Sequence, residues 1–195
     1  MMTAKKHAVL LKVASVDAVM KELFPKPGDR ILIINSGTGD LPLALLKKFT
    51  AMIDVVCTDH TSDMIDLTRG KTKDFSNIKV QRSKINELHF AENSFDIVMT
   101  LNDVEFISNK PRFMQNITRV LKPKGCVLMT SYCPVGVMAW FRELDWKVFD
   151  RDYFGRVDRK KTKILFSEAG LKLLRTKKMR VFGKQEVFYA KGVKI

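Results

Sequence analysis

The stretch that decides the fold is Gly28-Asp29-Arg30-Ile31-Leu32-Ile33-Ile34-Asn35-Ser36-Gly37-Thr38-Gly39-Asp40-Leu41. A turn at Pro27-Gly28-Asp29 leads into four consecutive aliphatic residues, a run that suits a strand buried on both faces. The run stops at Asn35, and Ser36-Gly37-Thr38-Gly39 follows before an amphipathic segment, Leu41 to Phe49, of helical period. Strand, glycine turn and helix in that order form a site of nucleotide size. Small residues let the backbone approach a ligand, and the first turn of a helix has unpaired N–H groups.

Working outward, residues 8–24 carry Leu11, Val16, Val19, Met20 and Leu23 along one helical stripe, ended by Pro25 and Pro27. This predicts an N-terminal helical cover over residues 1–26. Downstream, strands are expected at Met52–Thr58, Ile78–Gln81, Phe95–Thr100 and Cys126–Tyr132. Helices are expected at Ser62–Arg69 and Lys110–Leu121 between them. The alternation predicts a doubly wound α/β sheet, mostly parallel, with helices on both faces. The ending differs: a helix at Lys163–Ala169, then two strands, Leu171–Phe182 and Glu186–Val193, joined around Gly183. Residues 134–160 fit no sheet rhythm and are rich in aromatic residues: Trp140, Phe141, Trp146, Phe149, Tyr153 and Phe154. The whole, 1–195, is read as one domain.

Bulk properties narrow the function. No apolar run reaches the roughly 18 residues a membrane-spanning helix needs. Lys5, Lys6, Lys12 and Asp17 interrupt the first twenty residues, against a secretory leader. The three cysteines have no metal-ligand spacing, and the plain reading is reduced thiols in an intracellular, cytoplasmic protein, with a mitochondrial location left open. The net charge is +14, and residues 151–195 hold fourteen Lys and Arg against four Asp and Glu, hence +10 of it. Such a segment points to an anionic partner, or else to lysines that solvate exposed helices and an edge strand.

Asp59 ends the second strand twenty residues after Gly39, where doubly wound folds place an acid on a ribose; capping of the next turn is the alternative. With it, Asn93-Ser94-Phe95-Asp96-Ile97-Val98 and Arg119-Val120-Leu121-Lys122-Pro123-Lys124-Gly125 complete a motif order. In that order the chain resembles the class I S-adenosylmethionine-dependent methyltransferases, in particular the ubiquinone/menaquinone methyltransferase-like branch, over roughly Leu23 to Tyr132. The resemblance implies a seven-stranded Rossmann-like sheet with an antiparallel C-terminal strand and S-adenosyl-L-methionine as cofactor. It also implies a cofactor site at Asn35, Gly37, Thr38, Gly39, Asp59, His60, Lys84, Ile85 and Thr100. Loops after strands four and five would hold the acceptor, with Asn102, Glu105, Tyr132 and Trp140 as candidates and Asp103 beside them; residues 134–160 would be an aromatic lid insertion over it, a helix anchored to the sheet edge being the alternative.

The chain departs from the family at Ile33, where an acid is usual, at Asn35, where glycine is usual, and at Lys84, where an adenine-contacting Asp is usual. Asn35 is the residue type that best tolerates a left-handed backbone after glycine. The implied activity is methyl transfer to a small molecule or to RNA. The departures support an alternative, a catalytically inactive fold that binds RNA, a ribosome or a protein. No catalytic base is assigned, and no metal. A dinucleotide oxidoreductase fits less well, because Pro42 stands where the third glycine of the fingerprint belongs.

Overall fold

A computed structural model describes residues 12–13, 15–133, 141, 144–148, 150–151, 153–182 and 185–195. Seven strands form one sheet: β1 Asp29–Ile34, β2 Ile53–Asp59, β3 Ile78–Arg82, β4 Phe95–Leu101, β5 Leu121–Cys133, β6 Leu171–Phe182 and β7 Gln185–Lys194. Four helices are α1 Asp40–Phe49, α2 Ser62–Thr72, α3 Lys110–Val120 and α4 Arg159–Glu168. Residues 12–13 and 15–20 are helical as well. The strand order is β3-β2-β1-β4-β5-β7-β6. Strands β1 to β5 pair in parallel, and β7 runs antiparallel to both β5 and β6.

The aliphatic run works as expected of a central strand. Ile31 and Ile33 join the core on one face of the sheet, and Leu32 and Ile34 join the core on the other. The first core is covered by Val16, Val19 and Met20 of the N-terminal helix and by Leu41, Leu45 and Leu46 of α1. The second is covered by Phe113, Met114 and Ile117 of α3 and by Phe166 of α4. Burying both faces is what commits these strands to uninterrupted apolar sequence.

Two boundaries differ most from the sequence reading. Strand β5 begins at Leu121, because Phe95 pairs with Leu121 and Ile97 with Cys126, so Lys122–Gly125 bulges out of a continuous strand. Lys124 takes the left-handed conformation there, at φ 64°. Helix α4 begins at Arg159, four residues early, because the Asp158 carboxylate accepts the Lys161 N–H at 2.9 Å and caps its first turn.

The other motifs have structural roles. Arg119 donates to the carbonyls of Phe90 and Leu88, at 2.7 and 2.6 Å, and so pins the loop that enters β4. Asp96 accepts from the Arg30 N–H at 2.9 Å and from Lys122 Nζ at 2.8 Å, which ties β1, β4 and the β5 bulge together. Strand β6 lies at the sheet edge, so the lysines along it also block pairing with another chain. No helix among the described residues is long and apolar enough to cross a membrane.

Candidate functional site

The parallel pairing puts the carboxyl ends of β1, β2 and β4 side by side: Ile33 is level with Cys57 of β2, and Ile34 with Thr100 of β4. The residues that follow each strand therefore meet in one crevice. From β1 the chain turns through Asn35, at φ 55°, then Gly37 and Gly39, at φ 61° and 81°. Gly39 has no room for a side chain: a Cβ would lie 2.8 Å from the Cα of Thr68 in α2. Thr68 closes the loop from behind, donating to the Gly37 carbonyl at 3.1 Å and lying 3.3 Å from Ser36 Oγ. The loop is thus clamped on its inner side. Thr38 donates to Asp40 Oδ2 at 2.5 Å, and Lys71 bonds the other carboxylate oxygen at 2.6 Å, which fixes the entry to α1.

Asp59 is buried, and its carboxylate does two jobs. Oδ2 accepts the Gly37 N–H at 2.9 Å, and Oδ1 accepts both the N–H and the hydroxyl of Thr61 at 3.1 Å. It therefore caps the following turn and holds the glycine loop at once. A carboxylate offers about four acceptor positions, so capacity remains for a further hydroxyl. His60 is half exposed, with Nδ1 at 3.4 Å from both Asp59 Oδ1 and Asn35 Oδ1. The Ser83 N–H donates to the Asp59 carbonyl at 2.8 Å, which brings the segment after β3 to the same rim. Ile85 is partly buried against the core, whereas Lys84 points outward and pairs with Glu87 at 3.3 Å.

The β4 end carries the most buried charge. Asp103 Oδ1 accepts from Asn35 Nδ2 at 2.5 Å and from Lys12 Nζ at 2.7 Å, while Oδ2 accepts from Thr100 Oγ1 at 3.1 Å. Lys12 also donates to the Asn35 carbonyl at 2.7 Å. Burial pushes the Asp103 carboxyl up; the Lys12 ammonium and the two hydrogen-bond donors pull it back. Sequence reasoning placed Asp103 in this region but missed Lys12 and Thr68. Lys12 is separated from Asp103 by ninety-one positions and reads as a solvated break in an apolar helix. Thr68 reads as an ordinary helix residue.

Of the acceptor-side residues, Asn102 and Glu105 turn inward. Asn102 donates to Ser15 Oγ at 3.4 Å and accepts from Thr130 Oγ1 at 3.1 Å. Glu105 Oε1 accepts from Ser131 Oγ at 2.9 Å and from the Tyr132 N–H. Tyr132 instead joins an aromatic cluster, with its ring 5.4 Å from Trp146, which lies 5.7 Å from Tyr153, itself 6.2 Å from Phe106. Trp140 lies outside the described residues. In helical residues 144–148 the buried face is that of Trp146, and Leu144 and Val148 share the face toward solvent. Among the described residues no group of His, Cys, Asp and Glu could hold a metal.

A glycine loop clamped by Thr68, a strand-end acid reaching its N–H, and a sheet ordered β3-β2-β1-β4-β5-β7-β6 now stand together. A family model described as a methyltransferase domain matches residues 31–125. By this match the chain is similar to the class I S-adenosylmethionine-dependent methyltransferases. It is 28% identical over 173 residues to a demethylmenaquinone methyltransferase of Staphylococcus saprophyticus, covering 78% of this chain and 74% of that one. A ubiquinone/menaquinone biosynthesis C-methyltransferase of Idiomarina loihiensis is 30% identical over 108 residues, covering 54% of this chain and 43% of the relative. The crystal structure of a methyltransferase from Aquifex aeolicus superimposes with a TM-score of 0.73 at 19% identity, covering 98% and 97% of the two chains. S-adenosylmethionine is the cofactor that the comparisons support.

Proposed function

We propose that the chain transfers a methyl group from S-adenosylmethionine to a small, largely apolar acceptor held near the aromatic cluster at the carboxyl ends of β4 and β5. The observation that carries this reading is the bond from the Gly37 N–H to Asp59 Oδ2, which couples the glycine loop to the strand-end acid across one crevice. The cofactor supplies an electrophilic methyl on a sulfonium. The protein's part is alignment of an acceptor and exclusion of water, which needs no dedicated nucleophile. Asp59 accepts from the ribose hydroxyls, the Gly37–Gly39 backbone lies along the ligand, and the segment at Ile85 flanks the adenine.

For the acceptor, Tyr132, Trp146 and Tyr153 form a buried aromatic cluster beside β5 that would back the wall of a pocket for a planar or apolar molecule. The two relatives point the same way, one a demethylmenaquinone methyltransferase and the other a ubiquinone/menaquinone biosynthesis C-methyltransferase. RNA is the weaker option. Part of the basic C-terminal charge is used internally: Arg175 and Lys177 pair with Glu22, and Lys194 bonds Asn93 and the Leu121 carbonyl.

Calorimetric titration with S-adenosylmethionine and S-adenosylhomocysteine tests the reading. Both should bind, and Asp59→Ala should weaken S-adenosylhomocysteine by about 1 to 3 kcal/mol, the range for losing a charged hydrogen-bond partner. No heat at millimolar ligand would contradict the enzyme reading and favour a binding scaffold.

A further inference from the structure

The segment between β5 and α4 divides its apolar side chains between two sides. Trp146, Tyr153 and Val157 turn inward and are buried. Phe141, Leu144, Val148 and Phe154 turn out, and are 54%, 46%, 65% and 51% exposed. Leu144 and Val148 lie one helical turn apart, on the side away from Trp146. Single exposed apolar residues are ordinary, but several in one short segment form a patch of the kind that marks an interaction surface.

Backbone bonds fix where the patch lies. The Phe154 N–H donates to the Glu105 carbonyl at 2.7 Å, just beyond β4, and the Val157 N–H donates to Ser131 Oγ at 3.1 Å, near the end of β5. Lys110 Nζ, at the start of α3, donates to the Phe154 carbonyl at 3.2 Å. The patch therefore shares one rim with the first turns of α3 and α4. Cations crowd that rim: Arg112 on α3 and Arg159, Lys160, Lys161 and Lys163 on α4 are all exposed. Among the described residues none of these five side chains pairs with a carboxylate, whereas Lys71, Lys122, Arg175 and Lys177 elsewhere each have one. Asp158, the acid beside them, is spent on capping α4. Lys110 feels the crowding. Burial pushes its ammonium down, Glu105 pulls it up, and the Lys161 ammonium pushes it down again. Like charges gathered in this way repel one another until an anion arrives.

We propose that this rim docks on the surface of an anionic lipid bilayer. Phe141, Leu144, Val148 and Phe154 enter the acyl boundary, and the cations that open α3 and α4 meet the headgroups. The aliphatic members of the patch distinguish this occupant from RNA. Bases stack on aromatic rings but offer nothing to Leu144 and Val148, which the acyl boundary accepts. Docking of this kind needs neither cofactor nor acceptor.

Co-sedimentation tests it with two kinds of vesicle, phosphatidylcholine alone and phosphatidylcholine with about 30% phosphatidylglycerol. Wild type should bind the anionic vesicles about tenfold or more tightly than the neutral ones, with salt weakening the binding. Val148→Asp should lower the affinity about fivefold or more. Lys160→Glu/Lys163→Glu should lower it about tenfold or more, while Lys73→Glu/Lys79→Glu, equal in charge but at the opposite edge of the sheet, should change it less than about threefold. Thermal unfolding checks that each variant is folded, and Leu144→Asp replaces Val148→Asp if that variant is not.

Wild type that sediments with neither vesicle, or with both alike, would overturn the docking surface. So would an equal loss in the two double variants, the mark of attraction by net charge alone, or unchanged binding in folded Val148→Asp. Single-stranded polyuridylate bound more tightly than anionic vesicles, with binding kept in Val148→Asp and lost in Lys160→Glu/Lys163→Glu, would assign the rim to nucleic acid instead.

Discussion

Glu105 and Asp103 are two carboxyls buried within three positions of each other, each raised above the ordinary carboxylate range chiefly by desolvation. Glu105 is the less well matched. Its Oε1 is bonded to Ser131 and Tyr132, while Oε2 is buried and has no hydrogen-bond partner among the described residues. A carboxyl whose folded-state pKa exceeds its unfolded value binds protons more tightly in the folded state. Stability is then greatest in acid and falls as pH rises from about 4, the unfolded value, through the folded pKa. Glu105→Gln keeps the acceptor for Ser131 and removes the charge. It should be more stable than wild type at pH 8, with the difference vanishing towards pH 4, as denaturant melts across that range would report. Lys12→Met should do the reverse: by stripping Asp103 of its partner it should cost about 3 kcal/mol near neutrality and steepen the decline with pH.

At the scale of elements, the proposed function rests on the loop between β1 and α1 and on the cluster of Tyr132, Trp146 and Tyr153. Gly39 is held at φ 81° with the backbone of α2 against it. Gly39→Ala therefore meets both a left-handed penalty and a contact that cannot rotate away, and should lose about 2 kcal/mol or more in a melt as well as cofactor affinity. Trp146 is buried between Tyr132 and Tyr153. Trp146→Ala should cost about 3 kcal/mol or more and loosen the aromatic wall, read as a raised acceptor KM with cofactor binding unchanged.

The order of elements was legible because local signals agreed: a four-residue aliphatic run flanked by turn residues, Asp59 at a strand end, and two strand-length runs after Gly170 joined around Gly183. Less legible were contacts between distant parts of the chain. The spacing of Leu144 and Val148 does not reveal that Trp146 is the residue that packs inward, since the neighbouring surface is made by Tyr132 and Tyr153. Nor does the chain order announce that a lysine at position 12 would meet an aspartate at position 103.

At the scale of the molecule, the sheet has the candidate site at the carboxyl ends of β1, β2 and β4 and a basic edge at β6. The net charge of +14 makes non-specific attraction to polyanions expected whatever the acceptor is. If RNA were the acceptor, binding should fall steeply and linearly in log–log salt titration, and methyl transfer with it; activity on a small apolar acceptor should be nearly flat between low and physiological salt.

The central claim is that the crevice formed by Gly37–Gly39, Asp59 and Asp103 holds the cofactor. Backbone amide NMR of the protein titrated with S-adenosylhomocysteine tests it most directly. The account predicts that the Gly37, Gly39, His60, Ile85 and Asp103 amides shift together along one saturating curve while the amides of β6 stay in place. Saturable binding with shifts confined to β6 and α4, or no shifts at millimolar ligand, would contradict it.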